Sequence, residues 1–334
     1  MRKYSHLITY LLVIALIGLL VTGCGSKENV ASANAPDKKK AVAFPEKPIN
    51  FWIPYDAGGG SDIIGRALVE AAQKNLDKPI VIVNKPGTSG AVGLKELYNA
   101  KNDGYTLLTN TTTIVTHKLL GTIPYNHHDY EPIITFNYEP GSIAVPANSP
   151  YKDIKEFIDY AKKNKVKIAT SAKGGIWNIA TQAFIKQAGI NADVVVEGGG
   201  GAKAVVMAAG GHVDAVVASP LEMFTQLKSG NLRLLSVFGP ERVDAFSNVP
   251  TFKEAGYDLS ITTTRPLLAP KGTPKEVLDV LYKAFKTAAE DPKYIKTIKD
   301  MGAMPLLLGP EETIKFFDKE EKVMEKILKE SGQI

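Results

Sequence analysis

The chain has 334 residues, 44% hydrophobic and 22% charged, an ordinary globular composition that excludes a disordered or fibrous protein. Its formal net charge is +5, and the lysines interleave with glutamates in stretches such as "EEKVMEKILKE", which read as solvated helix faces rather than a nucleic-acid surface. The single cysteine excludes an internal disulfide.

Residues 1–23 read as a secretory signal. "MRK" gives a positive start, and Ile8–Val21 is an uncharged, largely apolar run of 14 residues. That is short of the roughly 20 residues a membrane-spanning helix needs. The sole cysteine, Cys24, follows directly in "VTGC", which resembles the bacterial lipobox. Cleavage before a diacylated Cys24 would leave the mature chain lipid-anchored to the outer face of the cytoplasmic membrane, at the cell surface or in the periplasm. The alternative is an uncleaved anchor helix with an incidental cysteine, and either one exports the rest. Residues 24–47 are small, polar and charged without an apolar period, and read as a flexible tether.

From Pro48 the pattern is strand, loop, helix, repeated. "INFWIPY" precedes a helix over 61–75, "PIVIVN" precedes "PGTSGAVG" and the helix "LKELYNA", and "YTLLTN" precedes "TTTIVTHKLLG". Short β-rich runs alternating with helical periods predict a parallel sheet built from βα units. "EPIITFNYEPGSIAVP" then predicts two extended segments with no helix between them, a crossover into a second lobe. There the cycle restarts with "VKIATS", "ADVVVE", "VDAVVAS" and "LRLLSVFG" as strands. "ITTTRPLLAP" carries the chain back, and two long helices follow. The first is capped by Thr273 with Pro274 at its first turn. The second presents Phe316, Phe317, Val323, Ile327 and Leu328 along one stripe. The expected organisation is therefore α/β and two-lobed, with lobe 1 at 48–143 plus 266–334 and lobe 2 at 144–265.

Enzyme motifs fail on spacing. From Gly58 a G-x-G-x-x-G fingerprint would need glycine at Ile63, and the Gly60-to-Gly65 spacing of a phosphate-binding P-loop is followed by Arg66-Ala67 instead of Lys-Ser/Thr. No G-x-S-x-G elbow occurs. The five histidines show no metal-ligand spacing; His127-His128-Asp129 is the one cluster, and adjacent side chains point apart on most backbones. Neither a metal nor a cofactor is expected.

What remains is loop chemistry. Gly58, Gly59 and Gly60 offer backbone N–H groups beside a helix N-terminus, an anion site that needs no charged side chain, with Ser61 or Asp62 as the helix cap. "SAKGGIWN", "NTTT" and "EGGGGAK" repeat the arrangement at other strand ends. In open α/β sheets, ligands gather at the carboxyl ends of strands.

"FWIPYDAGGGSDIIGRAL", "VNKPGTSGAVG", "DGYTLLT", "GGHVDA", "PTFKEAGY" and "LLAPKGTPKEVLDVLYKAF", in that order, resemble the substrate-binding proteins of tripartite tricarboxylate transporters, the Bug-type extracytoplasmic solute receptors. The resemblance runs from about Pro48 to the C-terminus. It implies a type II periplasmic-binding-protein fold, a small carboxylate ligand between the lobes, and a two-component integral membrane permease as partner. It places the first ligand loop at Tyr55, Ala57, Gly58, Gly59, Gly60, Ser61 and Asp62, and the facing loop at Ser171, Gly174, Gly175 and Asn178. Thr112, Thr113, Gly199, Gly200, Gly201 and Asp214 occupy matching places, and Arg265 falls where many relatives carry W-R-G. Asp56 departs from the small or apolar residue usual there, and a carboxylate at that point is expected to repel an anion. The function expected is a non-enzymatic, lipid-anchored receptor for a di- or tricarboxylate; the alternative is an exported α/β enzyme acting on a small anionic or phosphorylated substrate.

Overall fold

Apolar runs broken by glycine or small polar residues become strands followed by helices, as the patterning predicts. The structure, a computed structural model, describes residues 43–196 and 200–334. The signal segment, Cys24 and Gly199 lie outside the described residues. The first lobe opens with β1 (Ile49–Ile53), α1 (Gly60–Ala72), β2 (Ile80–Asn84), α2 (Ala91–Tyr98), β3 (Thr106–Thr109) and α3 (Thr113–Leu119). β4 (Tyr130–Pro140) leads out of it. The second lobe holds β5 (Ser142–Pro146), α4 (Ile154–Ala161), β6 (Val166–Thr170), α5 (Ile176–Ala188) and β7 (Ala192–Val196). It continues with α6 (Ala202–Ala209), β8 (Ala215–Ala218), α7 (Pro220–Lys228) and β9 (Leu232–Val237). β10 (Thr262–Pro270) returns to the first lobe, which α8 (Lys275–Ala289), α9 (Pro292–Asp300), β11 (Met304–Leu308) and α10 (Pro310–Glu330) complete.

Two sheets result, in the orders β11-β4-β10-β3-β1-β2 and β7-β6-β8-β5-β9. The βα units pair in parallel: β1 with β2 and β3, and β6 with β7 and β8. The crossing strands make both sheets mixed, because β10 runs antiparallel to β3 and β4, and β5 antiparallel to β8 and β9. A strand entered without a crossover helix is not held to the parallel direction.

The chain changes sheet at Gly141, between β4 and β5, and again between the end of β9 and the start of β10. The expected divisions at 143/144 and 265/266 fall inside β5 and β10, because each strand begins pairing with its own sheet a little earlier. At the junction Gly141 N–H donates to Ile261 O (2.9 Å), Phe238 N–H to Gly141 O (2.6 Å) and Ile261 N–H to Phe238 O (2.7 Å). Any side chain at residue 141 would press on Phe238 and Trp177 at 3.1 Å. Behind this knot the rings of Phe184, Phe238 and Phe252 pack with centroids 5.3 to 5.8 Å apart, an aromatic cluster that fills the second lobe beside the crossing.

Some local expectations change. Thr273 does not cap α8: its hydroxyl donates to Pro270 O (2.7 Å), and Pro274 takes the cap position. On α10, Phe317, Met324 and Leu328 are buried while Val323 is exposed, so the buried stripe is rotated from the expected one. α4, α9 and β11 were not anticipated. Among the described residues no helix is long and apolar enough to cross a membrane.

Candidate functional site

The loops that follow β1, β3, β6 and β8 meet between the lobes, and a cavity of about 30 Å³ separates their walls. That is room for about two waters at roughly 10–15 Å³ each. The helices α1, α5, α6 and α7 all begin at this junction, with Gly59, Gly175, Gly201 and Ser219 as N-caps. Helix N-termini carry partial positive charge, so the junction favours an anion.

The β1–α1 loop is shaped by Asp62. Gly58, at φ +79°, donates its N–H to Asp62 Oδ2 (2.9 Å), and Asn84 Nδ2 donates to Oδ1 (2.9 Å). Arg66 adds a bond to Oδ2 from Nε (3.0 Å). Burial works against the Asp62 carboxylate, but the hydrogen bonds from Arg66 and Gly58 outweigh it and hold it below the usual range. The expected capping role of Ser61 or Asp62 is corrected: Gly59 is the N-cap without a side-chain bond. Ser61 instead accepts from Arg265 Nε (3.1 Å). The facing loop works the same way. Asn178 Oδ1 accepts from Gly174 N–H (3.4 Å) and its own N–H donates to Ser171 Oγ (3.3 Å), leaving Ser171 and Gly175 toward the cavity.

Of the residues expected at the site, Tyr55, Gly59, Gly60, Ser61, Thr113, Ser171, Gly175, Gly200 and Gly201 line the cavity. Ala57, Gly58, Asp62, Thr112, Gly174 and Asn178 are not among the lining residues. Thr112 is buried, its Oγ1 accepting from Thr264 N–H (3.1 Å), which stitches the start of α3 to β10. Asp214 is a correction. It precedes β8 and accepts from Lys167 N–H (2.7 Å) at the amino end of the parallel strands, the opposite end from the cavity.

The cavity also gathers Ser89, Thr111, Trp177, Glu222, Thr263 and Arg265. Tyr55 Oη lies 2.9 Å from Thr111 Oγ1 and 3.1 Å from Thr113 Oγ1, and it donates toward Ser89 O (3.3 Å). Burial raises the Tyr55 phenol above its ordinary range, so it stays a neutral donor. Ser89 is held at φ 52°, a left-handed conformation rare outside glycine. Three groups converge on its carbonyl: Tyr55 Oη, Thr113 Oγ1 (3.3 Å) and His117 Nε2 (3.0 Å).

Arg265 and Glu139 form the charged floor. Arg265 Nη2 donates to Glu139 Oε1 at 2.6 Å, with both side chains almost fully buried. Arg265 Nη1 is buried and has no partner among the described residues. Burial pushes the Glu139 carboxylate above its usual range; the Arg265 charge opposes that shift and the Glu222 charge adds to it. Glu222, on α7, accepts from Trp177 Nε1 (2.6 Å) and Gly201 N–H (3.2 Å), and at 3.5 Å from Gly60 N–H across the cleft. Asp56 does not face the cavity; its Oδ2 lies 3.6 Å from Lys203 Nζ of the other lobe.

The histidine pair behaves differently from expectation. Both rings turn the same way, 4.2 Å apart, and both Nε2 atoms meet Asp318 Oδ1, at 3.1 Å from His127 and 2.9 Å from His128. Asp129 caps its own turn through Asn126 N–H (2.8 Å). This cluster, the one group of potential metal ligands among the described residues, is remote from the cavity.

Residues 64–333 match the family model described as the tripartite tricarboxylate transporter family receptor. A Cupriavidus necator protein named UPF0065 protein in gbd 5'region is 30% identical over 88% of this chain and 92% of its own. BugT of Bordetella pertussis is 26% identical over 96% of this chain and 97% of its own. The solved structure of the periplasmic binding protein BugD superposes with a TM-score of 0.82 at 28% identity, covering 86% of this chain and 99% of its own.

His117 sets a pH dependence. Burial pushes its ring below the ordinary range, and the bond to Ser89 only partly opposes this. Its Nδ1 has no partner among the described residues, so a protonated ring would bury a bare N–H. A depressed folded-state pKa contributes stability above the unfolded value of about 6.5 and loses it as pH falls through the folded pKa. Urea unfolding of the wild type should therefore weaken below about pH 6.5 more steeply than that of His117→Gln; equal slopes would show a ring that titrates as in water.

Proposed function

Because the chain belongs to the tripartite tricarboxylate transporter receptor family, we propose that it is an exported, lipid-anchored receptor that closes on a small di- or tricarboxylate. It then delivers that ligand to a two-component integral membrane permease. Its relatives are solute receptors, and its cavity carries hydrogen-bond donors rather than a nucleophile–base pair. In this reading lobe 1 comprises 48–141 and 262–334, lobe 2 comprises 142–261, and the chain hinges at the knot around Gly141, Phe238 and Ile261. Cys24 carries the lipid, and residues 25–42 tether the lobes to the outer face of the cytoplasmic membrane. The expected tether is shortened because the Phe44 ring packs on Tyr105 at 4.9 Å and Glu46 N–H donates to Tyr105 Oη at 2.9 Å.

The observation that supports a carboxylate most is Arg265. Its Nη1 is buried without a partner among the described residues, while Nε of the same guanidinium holds the Ser61 hydroxyl and Nη2 lies against Gly60. A buried guanidinium nitrogen is costly unless something accepts from it, and a ligand carboxylate supplies that acceptor.

Two outcomes follow. A Cβ at Gly60 would lie 2.7 Å from Arg265 Nη2 and 3.1 Å from Glu222 Cγ. Gly60→Ala should therefore displace the anion-binding groups, at some cost in melting temperature because Arg265 Nη2 also holds the buried Glu139. Hydrogen bonds to a charged group contribute roughly 1.5–3 kcal/mol, so affinity for the best-binding acid of a thermal-shift panel should fall at least about tenfold. A variant that binds like wild type would move the ligand elsewhere. For the anchor, metabolic labelling with a palmitate analogue should mark the wild-type chain and leave Cys24→Ala unmarked; an unlabelled, freely released wild type would refute lipidation.

A further inference from the structure

The two walls of the cavity carry opposite chemistry. Among the described residues, Arg265 is the one cation that lines it, and Arg265 belongs to the first-lobe strand β10. The second lobe instead presents the Glu222 carboxylate, around which its own donors converge. Trp177 Nε1 donates at 2.6 Å, Gly201 N–H at 3.2 Å, Ser219 N–H at 3.3 Å and Ser219 Oγ at 3.4 Å. Among the described residues, only Gly60 N–H reaches it from the first lobe, at 3.5 Å the longest of these contacts.

Glu222 is therefore a fixture of the second lobe and not a loose plug. Glu222 N–H also donates to Ser219 Oγ (3.2 Å), a reciprocal capping box that fixes the start of α7. When the lobes part, the carboxylate stays with Trp177 and Ser219. A second ligand carboxylate placed against this wall would meet a like charge and donors already engaged. A hydroxyl or an ammonium group would meet a charged acceptor and take the place of the long Gly60 contact.

We infer that Glu222 is a specificity-determining residue: the cavity holds a ligand carboxylate on Arg265 and a hydrogen-bond donor of the same ligand, a hydroxyl or an ammonium, on Glu222. The two groups must lie close together, because the Gly60 Cβ position is 2.7 Å from Arg265 Nη2 and 3.1 Å from Glu222 Cγ. This rests on the carboxylate reading above and narrows it to acids that carry a donor beside a carboxylate.

Calorimetric titration of the mature chain tests it with two series that differ in one group. The first is succinate, L-malate and L-aspartate; the second is tricarballylate and citrate. In whichever series binds, a donor-bearing acid should bind at least about tenfold tighter than its parent. Glu222→Met keeps the length and removes the acceptor, and should bring parent and donor-bearing acid to within roughly threefold. Glu222→Gln keeps one acceptor oxygen, which can still close the capping box, but removes the charge and turns the other oxygen into an NH2 donor; it should cost aspartate more than malate. A wild type that takes succinate or tricarballylate as tightly as the donor-bearing acids overturns the inference and leaves the carboxylate reading standing. So does a preference that survives in Glu222→Met. Binding of no acid in either series overturns the di- or tricarboxylate reading, and this inference with it.

Discussion

The buried ion pair between Arg265 and Glu139 is the interaction on which the rest of the site depends. Both residues lie on the strands that connect the lobes, where β10 and β4 pair with Thr263 opposite Glu139. Burying two charges costs several kcal/mol each and is repaid only when the partners are well placed. The pair is thus weak evidence for stability and strong evidence for a constraint. Glu139 holds the guanidinium by Nη2, Ser61 holds it by Nε, and Nη1 is left buried without a partner among the described residues. The arrangement leaves one donor of this cavity-lining arginine for a ligand to satisfy. Glu139 also offsets the arginine's charge, which leaves Glu222 to set the sign of the opposite wall.

The polar contacts across the cleft are long. Ser89 Oγ to Ala172 O (3.4 Å), Gly60 N–H to Glu222 Oε1 (3.5 Å) and Lys203 to Asp56 (3.6 Å) are all at the long end for their kind. Lys203 is exposed and Asp56 partly buried, and a pair at that distance contributes at most about 1 kcal/mol. A ligand bridging both walls replaces such contacts with shorter, charged ones, which is how a hinged receptor converts affinity into closure. Asp56, expected from sequence to repel an anion, instead partners a lysine of the facing lobe.

Much of this architecture was legible in the sequence because the strand and helix periods are local properties. Gly59, Gly60, Ser171 and Gly175 could be placed at the site because a glycine loop after a strand and before a helix has a fixed position in an α/β sheet. Ser89, Trp177 and Glu222 could not, because their place depends on how two lobes meet. In the sequence, Ser219-Pro220-Leu221-Glu222 is an ordinary helix start, and nothing local says that its carboxylate faces a cleft. Asp62, Asn178 and Thr112 have the right residue types in the right loops, yet their polar atoms are taken up by neighbouring backbone and side chains. Asp214 failed for another reason: its motif ends at the start of a strand, the wrong end of the sheet for a ligand.

A crystal structure of the mature chain with its tightest-binding acid tests the central claim most directly. A ligand carboxylate oxygen is expected at about 2.7–2.9 Å from Arg265 Nη1, the range of a charge-assisted hydrogen bond, with Nη2 still on Glu139 and the two lobes closed. A ligand whose carboxylate lies elsewhere, with Arg265 touching only Glu139 and Ser61, would contradict it.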